Sequence, residues 1–337
     1  YFNGVIDEAR IYNRSLSEDE VRAHYEDTRQ AYGFSIVPAV YYFRGDIVTV
    51  LDARDWYYRY VHLDSVEPAI QVGDRVSTGA PIGTLGKRGT SGGWAHLHFE
   101  VKSVQPSGEW GTQEAYAFIH EAYRRQRDLP LMAVAQPRLF AWTGRPVRLD
   151  GSRSWSASGE IARYDWTFTD GSTASGVEAD RVYDRPGTYS EILRVADNEG
   201  RIAYDFARVT VLDSDVEEHW RSRLLDPHAP MDELLGMLPV RLHPAYHPTL
   251  GLRPGDPVTF LVRAFHTTEG SETWDFGDGT APVTVRSDGN VDRYAPDGYA
   301  RTGHRYDTPG DYLVRVERTD DRGVTGIAHL HVPVGVR

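Results

Sequence analysis

The sequence predicts a mainly β protein composed of several domains. Its 337 residues exceed what one hydrophobic core usually organises and suit two to four domains. The 32 glycines, 19 prolines and 20 tyrosines are typical of many short strands joined by tight turns. A pattern of strands and turns also occurs twice in the C-terminal half. These observations favour sheet over helix as the main secondary structure.

The charge and cysteine content narrow the range of partners. The net charge of -12 disfavours binding to nucleic acid or to an anionic membrane surface. The chain has no cysteine, which excludes disulfides and thiolate metal sites. No apolar run approaches the roughly 20 residues that span a bilayer, so we expect no transmembrane segment.

The first 30 residues do not form a complete domain. Residues 1–12 alternate as a strand would, and Ser17 followed by Glu20 is a capping box that predicts a helix over residues 18–25. One strand and one helix cannot bury a core. The run GVIDEARIYNRSLSEDE resembles the closing strand and helix of a laminin-G/concanavalin-like jelly roll. The resemblance implies that residues 1–30 are the tail of such a domain, which would begin upstream of Tyr1.

Residues 36–128 contain the next predicted domain. Apolar runs predict strands from residue 36 to the HLHFEVKSV segment, with a glycine-rich stretch between them. Residues 112–126 show helical spacing through Tyr116, Ile119 and Tyr123. We therefore expect a β domain closed by one helix.

Three histidines of this domain are candidates for chemistry. His96 and His98 are two residues apart in an apparent strand, so both imidazoles should project from one face while Leu97 and Phe99 enter the core. His62 lies in another apparent strand, with its chain neighbours on the opposite face. If the two strands are adjacent, the three imidazoles converge, and neutral imidazole can bind Zn²⁺ or act as a general base. The spacing alone is more often that of an ordinary surface or packed pair.

The wider sequence around the histidines adds a family resemblance. YVHLDSV, VGDRVSTGAPIGTLGKRGTSGG and HLHFEV, within residues 46–101, resemble the lysostaphin/LytM-type zinc metallopeptidases of bacterial cell walls. The resemblance implies an antiparallel β domain that hydrolyses peptide crosslinks in peptidoglycan. It makes His98 a zinc ligand and casts His62 and His96 as the catalytic pair that activates the zinc-bound water and stabilises the oxyanion.

The sequence departs from that family at the first metal ligands. The family supplies a histidine and an aspartate from an H-x-x-x-D motif on an early strand, and no such motif precedes Asp46. The upstream His24 is followed by Asp27 three residues later, not four, and we interpret His24 as a solvated helix residue. A catalytic zinc needs about three protein ligands. Either the strand with the missing ligands lies outside this chain, or the domain has lost its metal.

One further acidic residue lies near the candidate site. Asp64 follows His62 by two residues and would share its face if the strand continued. The Asp-Ser pair at this point is typical of a strand end, so we predict that Asp64 caps a turn.

The C-terminal half contains the internal repeat. The first copy has YDWTF at residues 164–168 and PGTY at 186–189; the second has WDFGDG at 274–279 and PGDY at 309–312. The second copy also carries an insertion of roughly 15 residues around 286–300. Each copy suits a seven-strand sandwich with a core tryptophan, Trp166 or Trp274. Both resemble the PKD domain, which implies immunoglobulin-like β-sandwiches at 131–213 and 240–335, joined by a helical connector at 214–239.

Acidic residues of the second copy raise the question of calcium. Asp275, Asp278 and Asp311 are close to turns and could line a Ca²⁺ site. Aspartates in such turns more often accept hydrogen bonds from the backbone two residues ahead, and we predict that role here.

Two classes of function follow from these features. In the first, the chain is an exported zinc endopeptidase of the cell envelope. In the second, it is a non-catalytic binding or structural protein, or a subunit of an extracellular assembly, that uses a degenerate peptidase fold. Both place the chain outside the cell, in the periplasm or at the cell surface. The expected partners are peptidoglycan peptides or surface proteins.

Overall fold

The computed structural model describes residues 34–37, 45–89, 91, 95–105, 108–113, 115, 118–119, 122–123, 130–135, 138–224, 236–287 and 299–335. The chain forms two compact units, residues 1–128 and 129–337. Strands dominate the described residues of both units, so the predicted mainly β, multidomain class is confirmed. The predicted jelly-roll tail, residues 1–30, lies outside the described residues and stays a prediction.

The described part of the first unit is built on a six-stranded antiparallel sheet, beside which two further short strands pair with each other. The strands are β1 (Phe34–Val37), β2 (Ile47–Leu51), β3 (Tyr57–Val61), β4 (Leu63–Val66), β5 (Arg75–Val76), β6 (Gly83–Leu85), β7 (His98–Val104) and β8 (Trp110–Gln113). The order in the sheet is β5-β1-β2-β3-β7-β8, and β4 pairs with β6 outside it. Consecutive strands pair in β1–β2, β2–β3 and β7–β8, whereas β1–β5, β3–β7 and β4–β6 join segments that are not consecutive.

The core of this unit forms where β2, β3 and β7 meet. Val48, Val50, Tyr58 and Val101 are buried there. Phe118 contacts the ring of Tyr58 edge-on at 5.8 Å between centroids. Such contacts add to the hydrophobic gain from burial.

The predicted helix over residues 112–126 is wrong at its start. Residues 112 and 113 belong to β8, where Gln113 pairs with Val101 of β7. Helical geometry occurs at residues 118–119 and 122–123. The hydrogen bonds of the sheet edge therefore override helical spacing in this segment, which periodicity does not reveal.

The described residues of the second unit are mainly strand, with a short helix after the first repeat. The strands of its first half are β9 (Leu131–Met132), β10 (Leu139–Trp142), β11 (Pro146–Asp150), β12 (Trp155–Ser156), β13 (Ile161–Thr167), β14 (Thr173–Ser175), β15 (Glu178–Val182), β16 (Gly187–Asp197) and β17 (Ile202–Leu212). A 3-10 turn (Ser214–Val216) and helix α1 (Glu217–Leu224) follow. The second half has β18 (Arg241–His247), β19 (Val258–Phe265), β20 (Gly270–Asp275), β21 (Val283–Ser287), β22 (Ala300–His304), β23 (Gly310–Thr319) and β24 (Thr325–Val334).

Each repeat has its own hydrophobic core around its tryptophan. Trp166 and Trp274 both have 0% exposure, which confirms their predicted place in the core. Trp166 packs among residues that include Leu193 and Val209. Trp274 lies 5.5 Å from Phe260, ring centroid to ring centroid. Large aromatic rings of this kind supply much of the burial energy of a small sandwich.

The two repeats share one sheet. Among the described residues it has nine strands, and its main path runs β10-β17-β16-β24-β23-β20-β21. The joint is a parallel pairing of β16 with β24, in which Gly187 faces Thr325 and Thr188 faces Gly326. His329 on β24 also stacks on Phe206 of β17. Backbone pairing and ring stacking together hold the repeats in a fixed relation within this unit.

The aspartates of the second repeat have separate roles. Asp275 accepts a hydrogen bond from Gly277 N at 2.9 Å, and Asp278 accepts one from Thr280 N at 3.0 Å. The predicted turn bonds are therefore confirmed for these two residues. Asp311 instead pairs with His331 at 2.7 Å. The predicted insertion falls largely on residues 288–298, which lie outside the described residues.

Candidate functional site at a histidine cluster

The pairing of β3 with β7 brings two of the candidate histidines together. Val61, the last residue of β3, faces His98, the first residue of β7. His62 follows Val61, and its ring centroid lies 5.8 Å from that of His98 and 4.8 Å from that of His96. The three imidazoles thus meet at one end of the two paired strands.

His62 reaches the cluster by leaving the strand. The prediction placed it inside a strand with its neighbours on the opposite face, and this is wrong. His62 lies between β3 and β4 with φ of 69°, in the left-handed region that few non-glycine residues adopt. His62, Val61 and Leu63 are all buried. The alternation of a strand therefore does not apply at this position.

A hydrogen bond fixes the orientation and the tautomer of His62. Its Nδ1 lies 2.7 Å from the carbonyl oxygen of Arg88, in the glycine-rich stretch. A carbonyl oxygen only accepts, so Nδ1 donates and carries the proton in the neutral ring. The Nε2 atom of His62 is then the acceptor nitrogen.

His96 lies in the segment before β7, where its backbone N–H donates to the Gly86 carbonyl at 3.3 Å. The prediction that His96 and His98 share one strand is therefore wrong for His96. Leu97, expected in the core, is 46% exposed. Phe99 does pack against the core of the unit. The alternation of β7 thus begins only at His98.

His98 is held by a carboxylate on its own strand. Its Nε2 lies 3.0 Å from Glu100 Oε1, and the His98 side chain is 48% exposed. Arg59 and Lys102 also contact Glu100, at 2.8 Å and 3.4 Å. Burial opposes ionisation of Glu100, but Lys102, Arg59 and His98 outweigh it and hold the pKa of Glu100 below its usual value. Glu100 is therefore an anion that orients His98.

Asp64 has a different role from the one predicted. It lies within β4 and does not cap a turn. Its carboxylate Oδ1 is 3.7 Å from Arg88 Nε, and both side chains are exposed. The ion pair contributes little to stability at such exposure. Arg88 therefore takes part in two interactions: its side chain pairs with Asp64, and its backbone carbonyl accepts the hydrogen bond from His62.

The described residues do not fit the zinc site that the family resemblance implies. Within them, no group of three histidine, aspartate or glutamate side chains is arranged to hold a metal ion. Nε2 of His98 bonds to Glu100, and Nδ1 of His62 bonds to a backbone carbonyl. Glu100 in turn is engaged by Arg59 and Lys102. The cluster is a hydrogen-bonded imidazole group and lacks a three-ligand metal set.

A separate apolar cavity of about 650 Å³ lies in the same unit. Its lining includes Tyr58, Tyr60, Leu97 and Phe99, with the polar side chains of Asp52 and Arg54 also present; the three histidines are not part of the lining. Leu97 and Phe99 alternate with His96 and His98 along the chain. The cavity is therefore distinct from the cluster.

Comparisons with known protein families divide the chain as the fold does. Residues 31–109 match the model of peptidase family M23. Residues 128–211 and 245–332 match PKD domain models. The chain thus contains an M23 peptidase domain followed by two PKD domains. No helix in the described part of the chain has the length and apolar character needed to cross a membrane.

Individual relatives cover only short segments. Collagenase ColA of Clostridium perfringens (strain 13 / Type A) is 33% identical over 67 residues, which are 20% of this chain and 6% of that protein. Collagenase ColQ1 of Bacillus cereus (strain Q1) is 36% identical over 75 residues, 22% of this chain and 8% of that protein. The PKD1 domain of the Vibrio cholerae metalloprotease PrtV is 24% identical and covers 25% of this chain and 98% of its own, with a TM-score of 0.22. The chain therefore spans less than a tenth of each collagenase.

The structure adds two site residues that the sequence reasoning missed. Glu100 follows His98 by two residues on a strand, so alternation alone would have placed both on one face. Arg88 contributes through its backbone carbonyl. No side-chain pattern signals such a contribution.

Proposed function

We propose that the M23 domain of this chain is a peptide-binding domain of an exported envelope or surface protein, and that it binds peptidoglycan peptides without cleaving them. The observation that carries the proposal is the donor set of the histidine cluster. Of the ligands that the family pattern requires, only His98 is present among the described residues, and it is bonded to Glu100. The PKD domains and the similarity to collagenases support an extracellular location.

The cluster offers hydrogen-bonding groups that suit a peptide backbone. Nε2 of His62 is an acceptor, since Nδ1 donates to Arg88 O. His98 is half exposed, so solvent and ligands reach it. His62 is buried, so its acceptor serves the cluster itself. Nε2 of His98 donates to Glu100, so Nδ1 of the neutral His98 ring is an acceptor for a peptide N–H, and the anionic Glu100 strengthens bonds to donors near it. The cluster can thus hold a peptide in the absence of a metal ion.

Hydrolysis is the competing function, and the ring geometry favours it. The imidazoles of His62, His96 and His98 meet as they would in a site that activates water. A zinc ion at this site would require additional ligands from outside the described residues. Zinc content and bond cleavage separate the two functions.

The test uses the full chain, dialysed against zinc and then freed of excess metal. Elemental analysis gives zinc per chain, and sedimentation with insoluble peptidoglycan gives binding. We expect zinc well below one per chain, co-sedimentation with peptidoglycan and no release of new amino groups. His98→Ala should weaken binding several-fold, whereas the exposed His247→Ala in the second sandwich should not. One zinc per chain, together with amine release that His98→Ala abolishes, would refute the proposal in favour of hydrolysis.

A further inference from the structure

Three arginines cluster where the two sandwiches of the second unit meet. Leu139 on β10 pairs in parallel with Val209 on β17, and continuing that register by one residue sets Arg138 beside Arg208. Laterally paired residues of a sheet share a face. Phe206, two residues from Arg208 on that same face, stacks on His329 of the second sandwich. Arg208 and Arg138 therefore lie on the face that meets the second sandwich.

Arg241 reaches the same place from the second sandwich. It is the first residue of β18, and the preceding Val240 lies against β24, where a Cβ on Gly326 would be 2.5 Å from the Val240 carbonyl oxygen. Gly326 itself pairs with Thr188 of the first sandwich. All three arginines thus lie at the joint between the sandwiches, and the charges of Arg241 and Arg138 are near enough to act on Arg208.

The three guanidinium groups lack a counter-charge within the described part of the chain. No hydrogen bond or ion pair there involves the side chain of Arg138, Arg208 or Arg241, and the buried Nε of Arg241 has no partner. Burial, with the charges of Arg241 and Arg138, lowers the pKa of Arg208 to about 10. Burial and Arg138 also lower the pKa of Arg241. A lowered pKa is the expected effect on a buried cation that lies near other positive charges.

We propose that this arginine cluster is a binding site for an oxyanion, such as a phosphate, sulfate or carboxylate group of a ligand. Arginine remains charged at neutral pH, so the mutual repulsion persists until an anion offsets it. The guanidinium fork bonds two oxygens of such a group at once, which favours oxyanions over chloride. The site is separate from the histidine cluster and does not depend on the function proposed for it. The cluster is a local concentration of positive charge on a chain whose net charge is -12.

The test measures binding of inorganic phosphate, sulfate and acetate to the full chain by titration calorimetry, with chloride at matched ionic strength as the reference. We expect saturable binding of at least one of the three anions. At about ten times the dissociation constant, the midpoint of thermal unfolding should rise by about 3 °C. Preference for phosphate and sulfate identifies a tetrahedral oxyanion ligand, whereas preference for acetate identifies a carboxylate.

Variants locate the binding. Arg138 is exposed, so Arg138→Gln should fold normally and weaken binding about tenfold. Arg208→Gln and Arg241→Gln should have the same effect on binding. Arg253→Gln, which removes an exposed charge elsewhere in the second sandwich, should leave binding unchanged. An equal loss in Arg253→Gln, or no difference between the three anions and chloride, would overturn the proposal.

Discussion

The ring of His62 lies 4.8 Å from the ring of His96, and the contact joins the end of β3 to the segment that precedes β7. It depends on the left-handed backbone of His62, with φ of 69°, and on the bond from its Nδ1 to the Arg88 carbonyl. The cluster is therefore held by the backbone of the glycine-rich stretch as much as by its own side chains.

Replacement of His62 tests that support. His62→Ala removes the donor to Arg88 O in a partly buried hydrogen bond, which should lower the free energy of unfolding by about 0.5–1.5 kcal/mol. His62→Asn should lose less, because asparagine tolerates left-handed backbone and its amide can donate. Hydrogen exchange of peptides from β3 and β7 measures the opening of the first unit alone. Equal losses in the two variants would contradict this account.

The lowered pKa of Glu100 predicts that the first unit loses stability in acid. Its pKa is lowered in the folded state, so its contribution is complete above the unfolded value of 4.5 and is lost as the pH falls through the lower folded value. Glu100→Gln should flatten the pH dependence of first-unit opening between about pH 5 and 3, after correction for intrinsic exchange rates. The exposed Asp64→Asn serves as the matched control and should keep the wild-type curve.

The lowered pKa of His329 predicts that the joint between the sandwiches also loses stability in acid. Burial, reinforced by the charge of Arg315, lowers the pKa of His329 from 6.5 to about 4. The unfolded chain binds the proton more readily, so stability present above pH 6.5 is lost as the pH falls toward about 4. Hydrogen exchange in β16 and β24 should accelerate over that range in the wild type. The acceleration should be absent in His329→Gln and retained in His247→Ala.

Alanine substitutions at two glycines of the second sandwich distinguish the cost of backbone strain from the cost of a steric clash. Gly277 and Gly279 have φ of 75° and 83°, where a Cβ costs about 1–2 kcal/mol. A Cβ at Gly277 would also lie 2.6 Å from the Leu313 carbonyl oxygen, whereas at Gly279 it would meet nothing within 4 Å. Gly277→Ala should therefore destabilise by about 1–3 kcal/mol more than Gly279→Ala in urea unfolding. Equal effects would show that β23 moves to accommodate the methyl group.

The sequence predicted elements wherever local chemistry was sufficient. Alternation and turn residues predicted strands of the first unit from residue 36 to the HLHFEVKSV segment, and the repeat placed Trp166 and Trp274 in two cores. Turn chemistry likewise predicted the bonds of Asp275 and Asp278. It did not predict that residues 112 and 113 join β8, because strand pairing with Val101 depends on a distant segment.

The sequence by itself determined the β class, the two sandwiches with their core tryptophans and which histidines deserved consideration, because side-chain period and turn chemistry are local properties. Only the tertiary structure decided how those histidines meet. His62 leaves its strand to bond a carbonyl, His98 pairs with Glu100, and His96 lies before β7. Tertiary packing also assembled the three arginines at the joint. The His98–Glu100 pair is local, two residues apart on β7. The contact of His62 with Arg88 and the arginine cluster depend on groups distant in sequence, whose free energy appears only when the strands pair.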